Sequence, residues 1–155
     1  MQSDSKTTGV AEKTDEKRQF DFWIGDWDVS WGEDQRGTNH VYAILDGQAI
    51  QENFDGRPAI TLKGISVSTY DPNRRKWRQT WVDNEDGYFD LTGEFKDNQM
   101  TLYAQRQTGE TLIHYRMLFY NITSEQFGWR WDRSTDGQDW APAWEIHYQR
   151  MAGAT

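Results

Sequence analysis

From residue 19 onward, apolar and polar residues alternate in short runs, and no sustained helical period appears. Alternation at period two is the mark of strands with one face buried. It predicts strands at 25–31, 39–46, 48–54, 61–70, 77–83, 88–95, 100–106, 111–120, 127–133 and 143–150. Turn chemistry separates them: "LDGQ" at 45–48, "DGRP" at 55–58, "YDPNRRKW" at 70–77, "NEDG" at 84–87, "QTGE" at 107–110 and "STDGQD" at 134–139. Gly, Asn and Asp tolerate the positive φ of tight hairpins, and Pro72 fixes a corner. The links are too short for a crossover helix, so the strands form an antiparallel meander. A meander this long removes its edges by closing. The expected fold is all-β: a closed up-and-down barrel of about ten strands, wide enough to hold a small ligand.

Strand parity assigns the faces. Trp27, Val29 and Trp31 share one face of the first strand, with Asp26, Asp28 and Ser30 opposite. On the last strand Trp144, Ile146, Tyr148 and Arg150 share a face, which leaves Glu145, His147 and Gln149 for water. Gln79, Trp81 and Asp83 combine a ring with hydrogen-bonding groups on one face of the fifth strand, and Trp129 and Trp131 share a face of the ninth. A mostly apolar wall with a few placed polar groups suits a pocket. These five residues and Tyr148 are therefore the candidate ligand contacts. The competing reading makes Trp81 core and Asp83 the start of a turn.

Composition sharpens this picture. Apolar residues are only 35% of the 155 residues, yet aromatics are 15%, with nine Trp. Large rings must do the burial that aliphatic residues do elsewhere. A net charge of −8 disfavours nucleic acid and anionic membranes as partners, since both call for a basic face. There is no Cys, hence no disulfide or thiolate site. No stretch is apolar enough to insert in a membrane. Residues 1–18 read as a disordered tail, and one domain is expected over 19–151. The tail fits a periplasmic or secreted chain after signal removal, or a cytoplasmic one. Monomer and homodimer are both compatible with the sequence.

"GDW" at 25–27 resembles the Gly-x-Trp signature that opens the first strand in lipocalins and their calycin relatives. That resemblance implies a short helical plug before the strand, matched by "FDFWI" at 20–24. It also implies an Arg from the last strand across the Trp ring, for which "WEIHYQR" at 144–150 supplies Arg150. Gly25, Trp27 and Arg150 are then the residues that close the barrel. Guanidinium on indole is a favourable pair. "YDPNRRKW" with "TWVDNEDG" further resembles a bacterial family of lipocalin-like domains with no assigned function. Nitrobindins are similar in architecture and bind haem through a His near the C-terminus, which here would be His147.

The chain carries no Ser/His/Asp arrangement, phosphate loop or zinc spacing, and its motifs call for no cofactor or metal. His40, His114 and His147 are scattered. Tyr148 and Arg150 could jointly hold a carboxylate, unless Trp27 consumes the Arg. Asp90 and Glu94 suit an outward polar face. The leading expectation is a barrel that binds a small apolar or aromatic molecule. The alternatives are an enzyme on the same barrel, doing proton transfer or cyclisation on an unsaturated or aromatic metabolite with Asp83 or His114 as titrating group; haem binding through His147; and carbohydrate binding on exposed Trp129 or Trp140.

Overall fold

The computed structural model describes residues 14–152. Two 3-10 turns, Glu16–Arg18 and Asp21–Trp23, precede ten strands: β1 (Gly25–Trp31), β2 (Gln35–Ile44), β3 (Ala49–Asp55), β4 (Lys63–Asp71), β5 (Lys76–Asp83), β6 (Tyr88–Lys96), β7 (Gln99–Thr108), β8 (Thr111–Tyr120), β9 (Gln126–Ser134) and β10 (Ala141–Arg150). Each strand pairs antiparallel with its neighbours in sequence, and β1 pairs with β10, so the barrel closes. Of the tail expected at 1–18, residues 1–13 lie outside the described residues. Within the described part, residues 16–18 form a 3-10 turn, and Lys17 Nζ donates to Gln48 Oε1 at 3.0 Å.

The strand edges differ from expectation by up to four residues, most of all at the start of β2. β2 begins at Gln35 instead of 39, because Gly32 (φ 54°) and Asp34 (φ 61°) turn the chain within three residues. Trp31 then faces Gln35 directly across the hairpin, and the polar run "QRGT" becomes strand. β10 begins at Ala141, and a bulge between Pro142 and Trp144 resets its register against β9.

Inward positions on most strands are large. On β4 they are small: Gly64, Ser66 and Ser68 are buried while Ile65 and Val67 point to water. The rings opposite explain the inversion. A side chain on Gly64 would overlap the six-membered ring of Trp81, which lies across β4 at that point. Phe54 and Trp81 approach with centroids 6.5 Å apart, so β4 has to be thin where β3 and β5 are bulky.

One end of the barrel is packed solid. Phe20 and Trp23 from the plug are fully buried and stacked at 4.7 Å. Phe20 meets Trp77 and Phe119 edge-on, and Trp27 meets Phe127 edge-on at 5.0 Å. Rings of this kind each bury roughly 150–250 Å² and gain about 1 kcal/mol more from edge-to-face contact. Trp27 Nε1 donates to Trp23 O at 2.8 Å, and Trp77 Nε1 donates to Gln19 Oε1 at 3.0 Å, so neither indole loses its bond on burial.

Candidate functional site

Trp27 and Arg150 are cross-strand partners on β1 and β10. The Arg150 Cζ lies 4.3 Å above the Trp27 ring. Its guanidinium donates to Ile24 O at 3.0 Å and, through Nε, to Ser124 O at 2.9 Å, with Phe22 O at 3.5 Å. A half-buried cation is tolerated when its donors are used this fully. Gly25, at φ 150°, leaves room for it, because a Cβ there would strike the guanidinium. Arg150 thus ties plug, first strand and last strand together. It faces the packed end, away from the Tyr148 hydroxyl, and so is not part of a joint carboxylate clamp.

The opposite half of the lumen is hollow. A cavity of about 210 Å³ is walled by Trp81, Phe89, Trp129, Trp131 and Trp144, with Phe54, Leu62, Leu91, Met117 and Ile146 filling between them. Neighbouring rings fix the wall: Trp131 stacks on Tyr115 at 5.0 Å, Trp129 lies parallel to Trp131 at 6.4 Å, and Trp144 stands edge-on to Trp129 at 5.8 Å. Three polar residues reach the cavity: Glu52, Tyr148 and Asp83.

Of the expected contacts, Trp81, Asp83, Trp129, Trp131 and Tyr148 line this cavity, and Gln79 does not. Gln79 is buried with its Nε2 donating to Ser68 Oγ at 3.0 Å. Asp83 stands at the rim in a mainly structural arrangement. It accepts from Trp81 Nε1 and from the backbone amides of Glu85 and Gly87, each at 2.8 Å. Burial raises its pKa, but those donors and the charge of Arg106 outweigh burial and hold the carboxyl below its ordinary value.

Glu52, which strand parity left unremarked, is the main polar group of the cavity. It is 6% exposed and sits on β3 between Ile50 and Phe54 on the inward face. Ser66 Oγ donates to Oε1 at 2.6 Å, and Asn39 Nδ2 donates to Oε2 at 2.7 Å and to Tyr148 Oη at 2.8 Å. Burial pushes the Glu52 carboxyl up to about 7, against the lowering effect of the Ser66 and Asn39 bonds. Burial also raises the Tyr148 hydroxyl well above its ordinary value, with the nearby Glu52 charge adding to it. Asn39 Oδ1 and Gln79 Oε1 are buried acceptors that no donor reaches among the described residues. The signal in the sequence was an acid at period two between Ile50 and Phe54, on a strand whose other inward positions are apolar.

The histidines lie elsewhere. His147 is exposed on the outer face of β10, and His114 is on the outer face of β8 beside Gly137. His40 bonds Asp26 Oδ1 at 2.8 Å at the surface. The titrating group inside the lumen is therefore Glu52, and the expectation for His114 is corrected. Trp129 belongs to the cavity wall, while Trp140 lies outside the barrel under Arg116, whose Cζ is 4.4 Å from its ring. The two do not make a coplanar sugar platform. Asp90 and Glu94 are exposed, Glu94 paired with Lys76 at 2.9 Å. Among the described residues no group of three or more His, Asp or Glu could hold a metal ion.

A family model described as "Protein of unknown function (DUF1579)" matches residues 12–150. The chain belongs to this family. The match runs from the plug to Arg150, so both the packed end and the cavity lie inside it. No curated protein matches the chain.

Proposed function

We propose that this barrel binds a small, largely aromatic molecule in its lumen, as lipocalin-like proteins of the calycin superfamily do. The observation that carries the reading is the cavity of about 210 Å³, whose wall of Trp and Phe is held in place by ring contacts before any ligand arrives. A dry cavity of about 150 Å³ takes benzene, so this one suits one ring or two fused rings. A rigid aromatic wall costs little ordering entropy on binding. The Gly25, Trp27 and Arg150 closure supports the calycin relationship, because it pairs the two chain ends at the plugged floor. The acidic surface favours neither nucleic acid nor an anionic membrane as partner.

Titration of a panel of hydrophobic aromatic compounds, followed by quenching of Trp fluorescence, tests the reading. Saturable quenching by a one- or two-ring compound is expected. Unsaturable response across the panel overturns it.

A second reading is proton transfer on an unsaturated or aromatic substrate in the same lumen. One observation favours it: Glu52 titrates near neutral pH at the cavity wall, where a general base or acid is effective. Turnover of such a substrate that is lost in Glu52→Gln, while binding is kept, is the outcome that reading requires.

A further inference from the structure

We propose that the lumen is built for a cation: an aromatic molecule carrying an ammonium or protonated nitrogen, with its rings between the tryptophans and its charged head on Glu52. This rests on the binding reading above and names the ligand class. Four observations carry it. Among the described residues, Glu52 and Asp83 are the two acids lining the cavity, and no Lys, Arg or His lines it. Glu52 accepts one bond at each oxygen, from Ser66 and Asn39, which leaves a further lone pair at each for a ligand donor. Asn39, which donates to both Glu52 and Tyr148, keeps a buried Oδ1 that no donor reaches among the described residues, while the unpartnered indole N–H of Trp23 belongs to the packed end. Indole faces beside a carboxylate attract a cation by ring quadrupole as well as by charge.

The same arrangement rejects carboxylates. The Arg that could have paired with one is Arg150, and its donors are spent on the plug and on Ser124 at the packed end. Arg106 stands at the rim with its Cζ 4.2 Å from the Phe89 ring and its Nη2 on Tyr88 O, where its charge acts on Asp83. A negative head at the floor would meet Glu52 with no cation to offset it.

The groups facing Glu52 are few. β2 brings Asn39, β4 brings Ser66, β10 brings Tyr148, and β5, one strand beyond β4, brings Asp83 to the same cavity, with the charge of Arg106 of β7 acting on Asp83. Glu52 is thus the cavity group that changes charge between pH 5.5 and 8. An ammonium pairs with its carboxylate form, so binding at low pH drives a proton from Glu52 to solvent.

The experiment compares three probes of one shape by calorimetry: 2-naphthylmethylamine, 2-naphthalenemethanol and 2-naphthoate. The expected order is amine first, alcohol second, carboxylate weakest. Amine affinity rises about tenfold or more from pH 5.5 to 8, as the competent carboxylate form fills, while alcohol affinity does not. In Glu52→Gln the amine loses about 20-fold or more, the alcohol stays within about threefold, and the pH dependence disappears. If that variant does not fold, the pH series on the unaltered protein decides. An amine that binds no tighter than the alcohol, or a carboxylate that matches it, or a pH-independent amine affinity, overturns the cation assignment and leaves lumen binding standing. Failure of all three probes to bind overturns lumen binding and the cation assignment together.

Discussion

The two halves of this barrel are made from the same residue types and put them to opposite uses. At the plugged end, Trp23 and Trp27 are at most 1% exposed, and the cation on the Trp27 ring, Arg150, spends its donors on carbonyls. At the other end, Trp81, Trp129, Trp131 and Trp144 are each only half-buried, and they stand around open volume with an acid at its floor. Packing decides the difference. A ring surrounded on all sides contributes stability; a ring with one bare face has that face available for a ligand. A plug supplies the missing neighbours at one end only.

The sharpest way to break the comparison is to remove a ring from each end. Trp27→Ala is expected to cost about 3–5 kcal/mol in urea unfolding, the usual range for a buried aromatic. Arg150→Ala also destabilises, and the double variant loses less than the sum of the two, since each depends on the other's position. Additive losses would separate the cation from the ring.

Next in size is the pH dependence that Glu52 imposes. Its folded value of about 7 lies above the ordinary 4.5, so the folded state holds a proton that the unfolded chain has already released. The stabilisation is therefore complete below about pH 4.5 and is lost as pH rises through about 7. The gap corresponds to about 3 kcal/mol at 1.36 kcal/mol per pH unit. Stability should rise from pH 8 to pH 5, and Glu52→Gln should flatten that slope and be the more stable chain at pH 8. Asp55 and Asp136, held at about 2 by Arg57 and by backbone amides, act in the opposite sense and only in acid, well below this window. A wild-type slope of the opposite sign between pH 5 and 8 contradicts the buried carboxyl.

The smallest effect belongs to the wall. Trp131→Ala is expected to cost about 1–2 kcal/mol, less than Trp27→Ala, because part of its surface already faces the cavity. Aromatic-probe affinity should fall more than stability does. Equal losses of stability at the two ends would show that the wall is ordinary core.

The packed end was legible in the sequence, and the hollow end was legible only in part. Gly25, Trp27 and Arg150 occupy distinctive positions at the start and end of the meander, and closure of a ten-strand barrel makes their meeting compulsory. Parity also put Trp81, Trp129, Trp131 and Tyr148 on inward faces. Glu52 is not legible in the sequence, because an acid in a strand is ordinarily a solvent-facing residue and its partners Asn39 and Ser66 lie on two other strands. No spacing in one strand announces a network built across three. β4 hid its face for a related reason: Ile65 and Val67 are apolar and outward, Ser66 and Ser68 polar and inward, and only the bulk of Trp81 on the next strand explains the exchange.

The division of labour between the ends is tested most directly by the indole N–H resonances of the labelled protein during titration with 2-naphthylmethylamine. Saturable shifts are expected at Trp81, Trp129, Trp131 and Trp144, with Trp27 and Trp77 unmoved. Shifts confined to Trp140 on the outer surface, or spread equally over both ends, would contradict it.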